Sequence, residues 1–260
     1  MQDLNHVRQQ FPGLNRQHDG QNAVFFDGPA GSQVPVQVAD EVRRFMLHHN
    51  ANEGGAFATS HEVGALMDTA LSTMSTFYGD VSPNIVFGAN MTTLTLHFTR
   101  SVAETLTSED EIIVSRLDHD ANVSPWVLAA EKSGATVKYI PLREKDCTLD
   151  MDAYTAMLSS KTKWVAVGYA SNATGSINPI RQISDLAHSV GARCYVDAVH
   201  YAPHGRIRVG DLGCDALVSS AYKFFGPHIG MLWADTSLLE SLPAFKVRPA
   251  TNQLPFRWMT

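Results

Sequence analysis

From residue 85 to about residue 240 the hydrophobic pattern keeps changing period. Short β-branched or apolar runs at 85–87, 111–115, 136–140, 164–169, 193–197 and 216–219 alternate with segments of helical spacing at 92–108, 124–133, 152–159 and 179–190. Such alternation predicts βα units: a mainly parallel central sheet with helices on both faces. A further strand is expected at 230–234 and a short helix at 237–241. Upstream, helices are expected at 36–48, where Val38, Val42 and Phe45 keep helical spacing, and at 62–78. Between them 50–60 (NANEGGAFATS) reads as loop, as does the Gly/Pro segment FFDGPAGSQVP at 25–35.

In open α/β sheets, ligands collect beyond the carboxyl ends of the strands. Four of the expected strands deliver polar or ring-bearing residues there: His119 after IIVS, Asn172 after WVAVGYAS, Asp197 and His200 after RCYV, and Lys223 after ALVSSAY. Asp197 and Lys223 are 26 positions apart, each at a strand end, the spacing that one intervening excursion produces. A lysine for a Schiff base with an aldehyde, a carboxylate to keep a pyridine nitrogen protonated, and an anion site are the demands of pyridoxal 5'-phosphate (PLP) chemistry. Lys223 sits in SSAYKFFGPHIG, among aromatic and small residues, where desolvation lowers an amine's pKa and favours the imine. The plain alternatives are a surface lysine closing a strand and, for Asp197, a helix N-cap.

The phosphate site is expected at GANMTT, residues 88–93, between a strand and the helix that Thr92 or Thr93 would open. A helix N-terminus offers free N–H groups and a favourable dipole to an anion. Ser220, three residues before Lys223, adds a candidate hydroxyl. His119, in LDHDANVSPW, is a ring able to stack on a pyridine face, or else an exposed loop histidine. His200 and Asn172 are candidates for the ring oxygen, or else turn residues.

Composition excludes several rivals. A net charge of −6 and scattered Lys and Arg provide no electrostatic footprint for nucleic acid. No apolar run is long enough for a membrane span, and MQDLNHVRQQFPG lacks the pattern of a signal peptide. Cys147, Cys194 and Cys214 make no CxxC or zinc spacing, which fits a reducing compartment. A cytoplasmic protein is the expectation. Eleven histidines form no HExxH or comparable cluster, so no metal site is expected. Ser220-Ala-Tyr-Lys223 is a literal S-x-x-K, but SNA at 171–173 and KTK at 161–163 are poor stand-ins for its partner motifs.

Taken in order, FFDGPAG, DHDANVSPW, SNATGSINP, YVDAVHYAPH and SSAYKFFGPHIG resemble the class V aminotransferases, specifically the cysteine desulfurase and selenocysteine lyase group. The resemblance implies a fold type I PLP-dependent large domain with Lys223 as the Schiff-base lysine, Asp197 on the pyridinium nitrogen and His119 stacked on the ring. It implies that Asn90, Met91 and Thr92 receive the phosphate, with Ser220 and Tyr222, and that His200, beside Asn172, reaches the ring oxygen. It further implies an amino-acid substrate, β-elimination of sulfur from cysteine, a homodimer and a sulfur acceptor protein. Transamination, epimerisation and a catalytically incomplete PLP-binding scaffold are the alternatives. Two departures weaken the claim on cysteine: familiar desulfurases commonly have His where Tyr222 stands and Gln where His200 stands. The resemblance divides the chain into an N-terminal segment (1–20), a PLP-binding large domain (21–245) and the start of a linker (246–260) to a small C-terminal domain beyond this chain. No arginine or cysteine here matches the substrate anchor and sulfur carrier that such a domain usually supplies.

Overall fold

The structure is a computed structural model describing residues 4–80 and 84–259. Residues 1–3 of the expected N-terminal segment and residue 260 of the expected linker lie outside the described residues.

Seven strands form the central sheet: β1 (Ile85–Gly88), β2 (Glu111–Ser115), β3 (Thr136–Ile140), β4 (Thr162–Gly168), β5 (Arg193–Asp197), β6 (Ala216–Ser220) and β7 (Gly230–Ala234). Their spatial order is β1-β7-β6-β5-β4-β2-β3. Only β7 runs against the others, pairing antiparallel with both β6 and β1. The remaining neighbours are parallel, so the strand ends that carry Asp197 and Lys223 come out on the same edge, side by side.

The helices are α1 (Leu4–Gln9), α2 (Val36–His48), α3 (Ala58–Phe77), α4 (Met91–Ala103), α5 (Ser124–Ser133), α6 (Met151–Met157), α7 (Ile180–Ser189), α8 (Val209–Leu212) and α9 (Thr236–Ser241). Period-2 alternation along each strand builds a core on either face. On one side Ile113, Val165, Val167, Cys194, Val196 and Leu217 pack with Leu71 of α3, Tyr154 of α6 and Ile183 of α7. On the other, Ile112, Val114, Trp164, Tyr195 and Val218 meet Phe98 of α4, Trp126 of α5 and Leu239 of α9. Ring centroids of 5.3 Å for Trp126–Trp164, 5.5 Å for Phe98–Trp164 and 5.2 Å for Phe98–Tyr195 pin α4 and α5 to this face. Such pairs contribute about 0.5–1.5 kcal/mol each beyond their buried area.

Several expected boundaries move: the helices expected at 152–159, 179–190 and 237–241 span Met151–Met157, Ile180–Ser189 and Thr236–Ser241, and the strands expected at 85–87 and 216–219 each run one residue further. The helix expected at 62–78 begins at Ala58, because buried Ser60 ties the preceding loop to its first turn: its Oγ accepts the Gly55 N–H and donates to Asn52 O, both at 2.7 Å. This also shortens the expected 50–60 loop. The helix expected at 92–108 spans Met91–Ala103. Asn90 rather than a threonine caps it, accepting the Thr93 N–H on Oδ1 at 2.9 Å. Its far end stops where Asp110 Oδ2 accepts the N–H and hydroxyl of Thr107 at 2.8 and 2.9 Å, closing a turn that competes with further helix. The strand expected at 164–169 is Thr162–Gly168.

Candidate active site

The parallel pairing of β5 with β6 puts Asp197 and the turn that carries Lys223 on one edge of the sheet. Seven of the residues singled out in the sequence line a single cavity there: Met91, Thr92, His119, Asn172, His200, Tyr222 and Lys223. Asn90, Asp197 and Ser220 are not part of its lining: Asn90 and Ser220 bond backbone amides at the start of α4, and Asp197 lies close enough to influence Lys223. The small residues Ala121, Ala170 and Val199 complete the lining, leaving room against the polar groups.

Asp197 is buried, and its Oδ1 accepts the Val199 N–H at 2.8 Å. Burial raises its pKa to about 6, against the pull of that N–H and of His119 and Lys223. At neutral pH it is therefore ionised, a buried carboxylate whose charge Lys223 favours. Lys223 is partly buried, which lowers its pKa, while Asp197 and Asp27 oppose the shift. An amine in this setting is more often free, and so more nucleophilic, than a surface lysine.

His119 precedes a short 3-10 turn, Asp120–Asn122, and its Nδ1 accepts the Ala121 N–H at 3.1 Å. The proton of a neutral ring then resides on Nε2. His200 lies with its ring centroid 5.2 Å from that of His204, and burial, His204 and Lys223 lower its pKa. Beneath it Tyr201 stacks on Tyr169 at 3.6 Å, which anchors the loop after β5 to the end of β4. The turn at 171–174 is made by Ser171, whose Oγ accepts the N–H groups of Ala173 and Thr174 at 3.2 and 3.3 Å, leaving Asn172 on the cavity wall. Tyr222 stacks on His228 at 4.5 Å, and Lys223 Nζ lies 5.1 Å from the Tyr222 ring centre.

At the anion end, the Met91 N–H donates to Ser220 Oγ at 2.9 Å, while the Thr93 N–H goes to Asn90. Thr92, between them, lines the cavity. Ser220 is fully buried, so its hydroxyl orients the helix start rather than meeting solvent. The donor set fits PLP: an amine of lowered pKa, an imidazole and a helix N-terminus line one cavity, with an ionised buried carboxylate close enough to act on the amine.

The sequence reading passed over Asp118. Its half-buried carboxyl bridges the ends of β2 and β4, accepting the Ser115 hydroxyl at 2.9 Å and the Gly168 N–H. Burial, with a smaller contribution from Asp197, pushes its pKa to about 8. A signal was available: Asp118 stands three residues beyond an apolar strand, where a carboxylate needs a partner. Among the described residues no group of three or more His, Cys, Asp or Glu is arranged to hold a metal ion. Nor is any helix long and apolar enough to cross a membrane.

The family model "Aminotransferase class-V" matches residues 24–253. A probable cysteine desulfurase of Synechocystis sp. is 35% identical over 243 residues, which are 92% of this chain and 58% of that protein. An aminotransferase-like protein of Gibberella zeae is 34% identical over 88% of this chain and 57% of its own length. Among solved structures, the cysteine desulfurase CsdA of Escherichia coli superposes with a TM-score of 0.79 at 25% identity, covering 93% of this chain and 60% of that one. The chain thus spans somewhat under two thirds of each of these three relatives.

Proposed function

The chain belongs to the class V aminotransferase family, and from that premise we propose that it is a PLP-dependent enzyme acting on an amino acid, with cysteine desulfuration as its reaction. The observation that carries the proposal is the pairing of Lys223 with Asp197: a lysine of lowered pKa and an ionised buried carboxylate at the ends of adjacent parallel strands.

Bound PLP supplies an electron sink that makes bonds at the substrate's Cα and Cβ labile. The residues supply binding, orientation and proton movement. Lys223 Nζ would hold the cofactor covalently and, when free, would move the proton at the substrate's Cα. The Asp197 carboxylate would keep a proton on the pyridine nitrogen. The His119 ring would stack on the pyridine, and His200 with Asn172 would orient the ring oxygen. The start of α4, at Asn90, Met91 and Thr92, would receive the phosphate, with Ser220 holding that helix start in place and Tyr222 alongside. Asp118 fixes the end of β4 relative to β2, so that the walls carrying His119 and Asn172 keep their spacing.

The proposal extends to a homodimer. Phe26 is 93% exposed, and α2, without a buried residue, shows Met46 and Leu47 at 66% and 61% exposure, an apolar surface of the kind subunit contacts cover. A sulfur acceptor protein and a cytoplasmic location complete the reading.

The test is an absorbance titration of the purified protein with PLP, followed by borohydride reduction and peptide mapping. A band at about 410–430 nm, trapped on Lys223 and absent in Lys223→Ala, is the expected result. Label on another lysine, or retained turnover in Lys223→Ala, would overturn the proposal. Sulfide release from cysteine, measured against keto-acid formation, separates desulfuration from transamination.

A further inference from the structure

The Gly/Pro loop at 25–35 takes no part in the proposed chemistry, yet one of its residues grips the backbone on both sides of Lys223. The Ser32 N–H donates to Tyr222 O at 2.8 Å. The Ser32 hydroxyl donates to the same carbonyl at 3.1 Å and accepts the Phe225 N–H at 2.7 Å. One side chain thus spends its only proton and a lone pair on groups one residue before and two residues after the lysine.

The segment it grips is one that would otherwise relax. Phe225 adopts φ +72°, a region that non-glycine residues seldom occupy unless the surroundings impose it. Its ring lies edge-on to Phe11 at 5.3 Å, and the neighbouring Phe224 stacks on Phe77 of α3 at 5.1 Å. The loop that holds Ser32 also brings Asp27 close enough to favour the charged form of Lys223.

We propose that Ser32 is the positioning residue of the lysine loop: its three hydrogen bonds hold backbone 222–225 so that Lys223 stays partly buried in the cavity instead of swinging into solvent. This rests on the reading of Lys223 as the cofactor lysine and adds what keeps it there. Because burial is the main reason that the amine is less basic than usual, loosening the loop returns Lys223 toward an ordinary surface lysine.

The experiment is competitive acetylation of the full chain's lysines with acetic anhydride across pH, read by peptide mass, which needs no cofactor. In the wild type, Lys223 titrates below the exposed lysines. In Ser32→Ala its midpoint rises by about half a unit, so roughly threefold less of it is free at neutral pH. Affinity for PLP falls about tenfold in parallel. Ser32→Thr, which keeps the hydroxyl, restores both values. Ser32→Cys, similar in size but a weak donor, serves if the alanine variant does not fold. A Lys223 midpoint unchanged in the Ala or Cys variant overturns the proposal, whatever happens to the melting temperature. Failure of the wild type to take PLP on Lys223 would sink the cofactor reading instead, with the acetylation profile still deciding the role of Ser32.

Discussion

Ser220 Oγ accepts the Met91 N–H at 2.9 Å, joining the end of β6 to the start of α4 across 129 positions of sequence. The strand that leads to the lysine and the helix that would receive the phosphate are therefore one hydrogen-bonded unit. Ser220→Ala leaves a buried amide unpaired, which costs about 1–3 kcal/mol. The variant should melt several degrees lower and bind PLP more weakly, while Lys223 remains the residue labelled. Thermal unfolding and a PLP titration measure the two effects; wild-type values in both would mean that the bond is incidental.

The crossing of β7 over the start of α4 leaves no room for a methyl group. A Cβ added at Gly230 would lie 2.4 Å from the Asn90 carbonyl carbon and 2.6 Å from its oxygen. Both are backbone atoms, so the helix start itself must move. Gly230→Ala should cost about 1–3 kcal/mol, as overpacking does, and weaken PLP binding. Gly210, on α8 with nothing within 4 Å of an added Cβ, is the control, and Gly210→Ala should have little effect on either.

Two carboxyls set a pH dependence. Asp197 and Asp118 are raised by burial to about 6 and about 8. Each therefore holds its proton in the folded chain at pH values where the unfolded chain has lost it. Stability of the cofactor-free protein should fall as pH rises from about 4 through about 8, because the unfolded state binds fewer protons across that window. Asp197→Asn should remove a penalty of about 3 kcal/mol at pH 7, even as it lowers turnover by a factor on the order of 10³. Urea unfolding at pH 5 and pH 8, for wild type, Asp197→Asn and Asp118→Asn, tests the sign. A wild type more stable at pH 8 than at pH 5 would contradict it.

The amide that His119 Nδ1 accepts separates two roles for its ring. His119→Phe keeps a flat ring but loses the bond to the Ala121 N–H, whereas His119→Ala loses both. If stacking is the main contribution, worth about 0.5–1.5 kcal/mol, the Phe variant should bind PLP up to about tenfold more tightly than the Ala variant. Equal affinities would assign His119 to capping its own turn.

Much of this architecture was legible from local pattern. The strands at 111–115, 136–140, 193–197 and 230–234 and the helices at 36–48 and 124–133 have the bounds that periodicity predicts. Each is long enough to show its period and is bounded by turn-forming residues. Two of the larger shifts in boundary are set by a side chain reaching outside its own element, Ser60 at the start of α3 and Asp110 beyond the end of α4. The residues now lining the cavity could be named because strands of an open parallel sheet deliver their C-terminal residues to one edge.

What the chain's order of residues determined by itself was the alternation, and with it the sheet, the edge where a ligand belongs and the motifs delivered to that edge. The tertiary structure alone decided which of those residues face the cavity and which stand behind it. It buried Asp197 within the electrostatic reach of Asp118, put Asn90 rather than a threonine at the start of α4, and brought Ser32 against the lysine loop from 190 residues away. The division has a physical cause. Periodicity reports which side of an element meets the core, a property of a few neighbouring residues. Hydrogen bonds between distant loops, and the desolvation that shifts a carboxyl or an amine, arise only when segments remote in sequence are packed together.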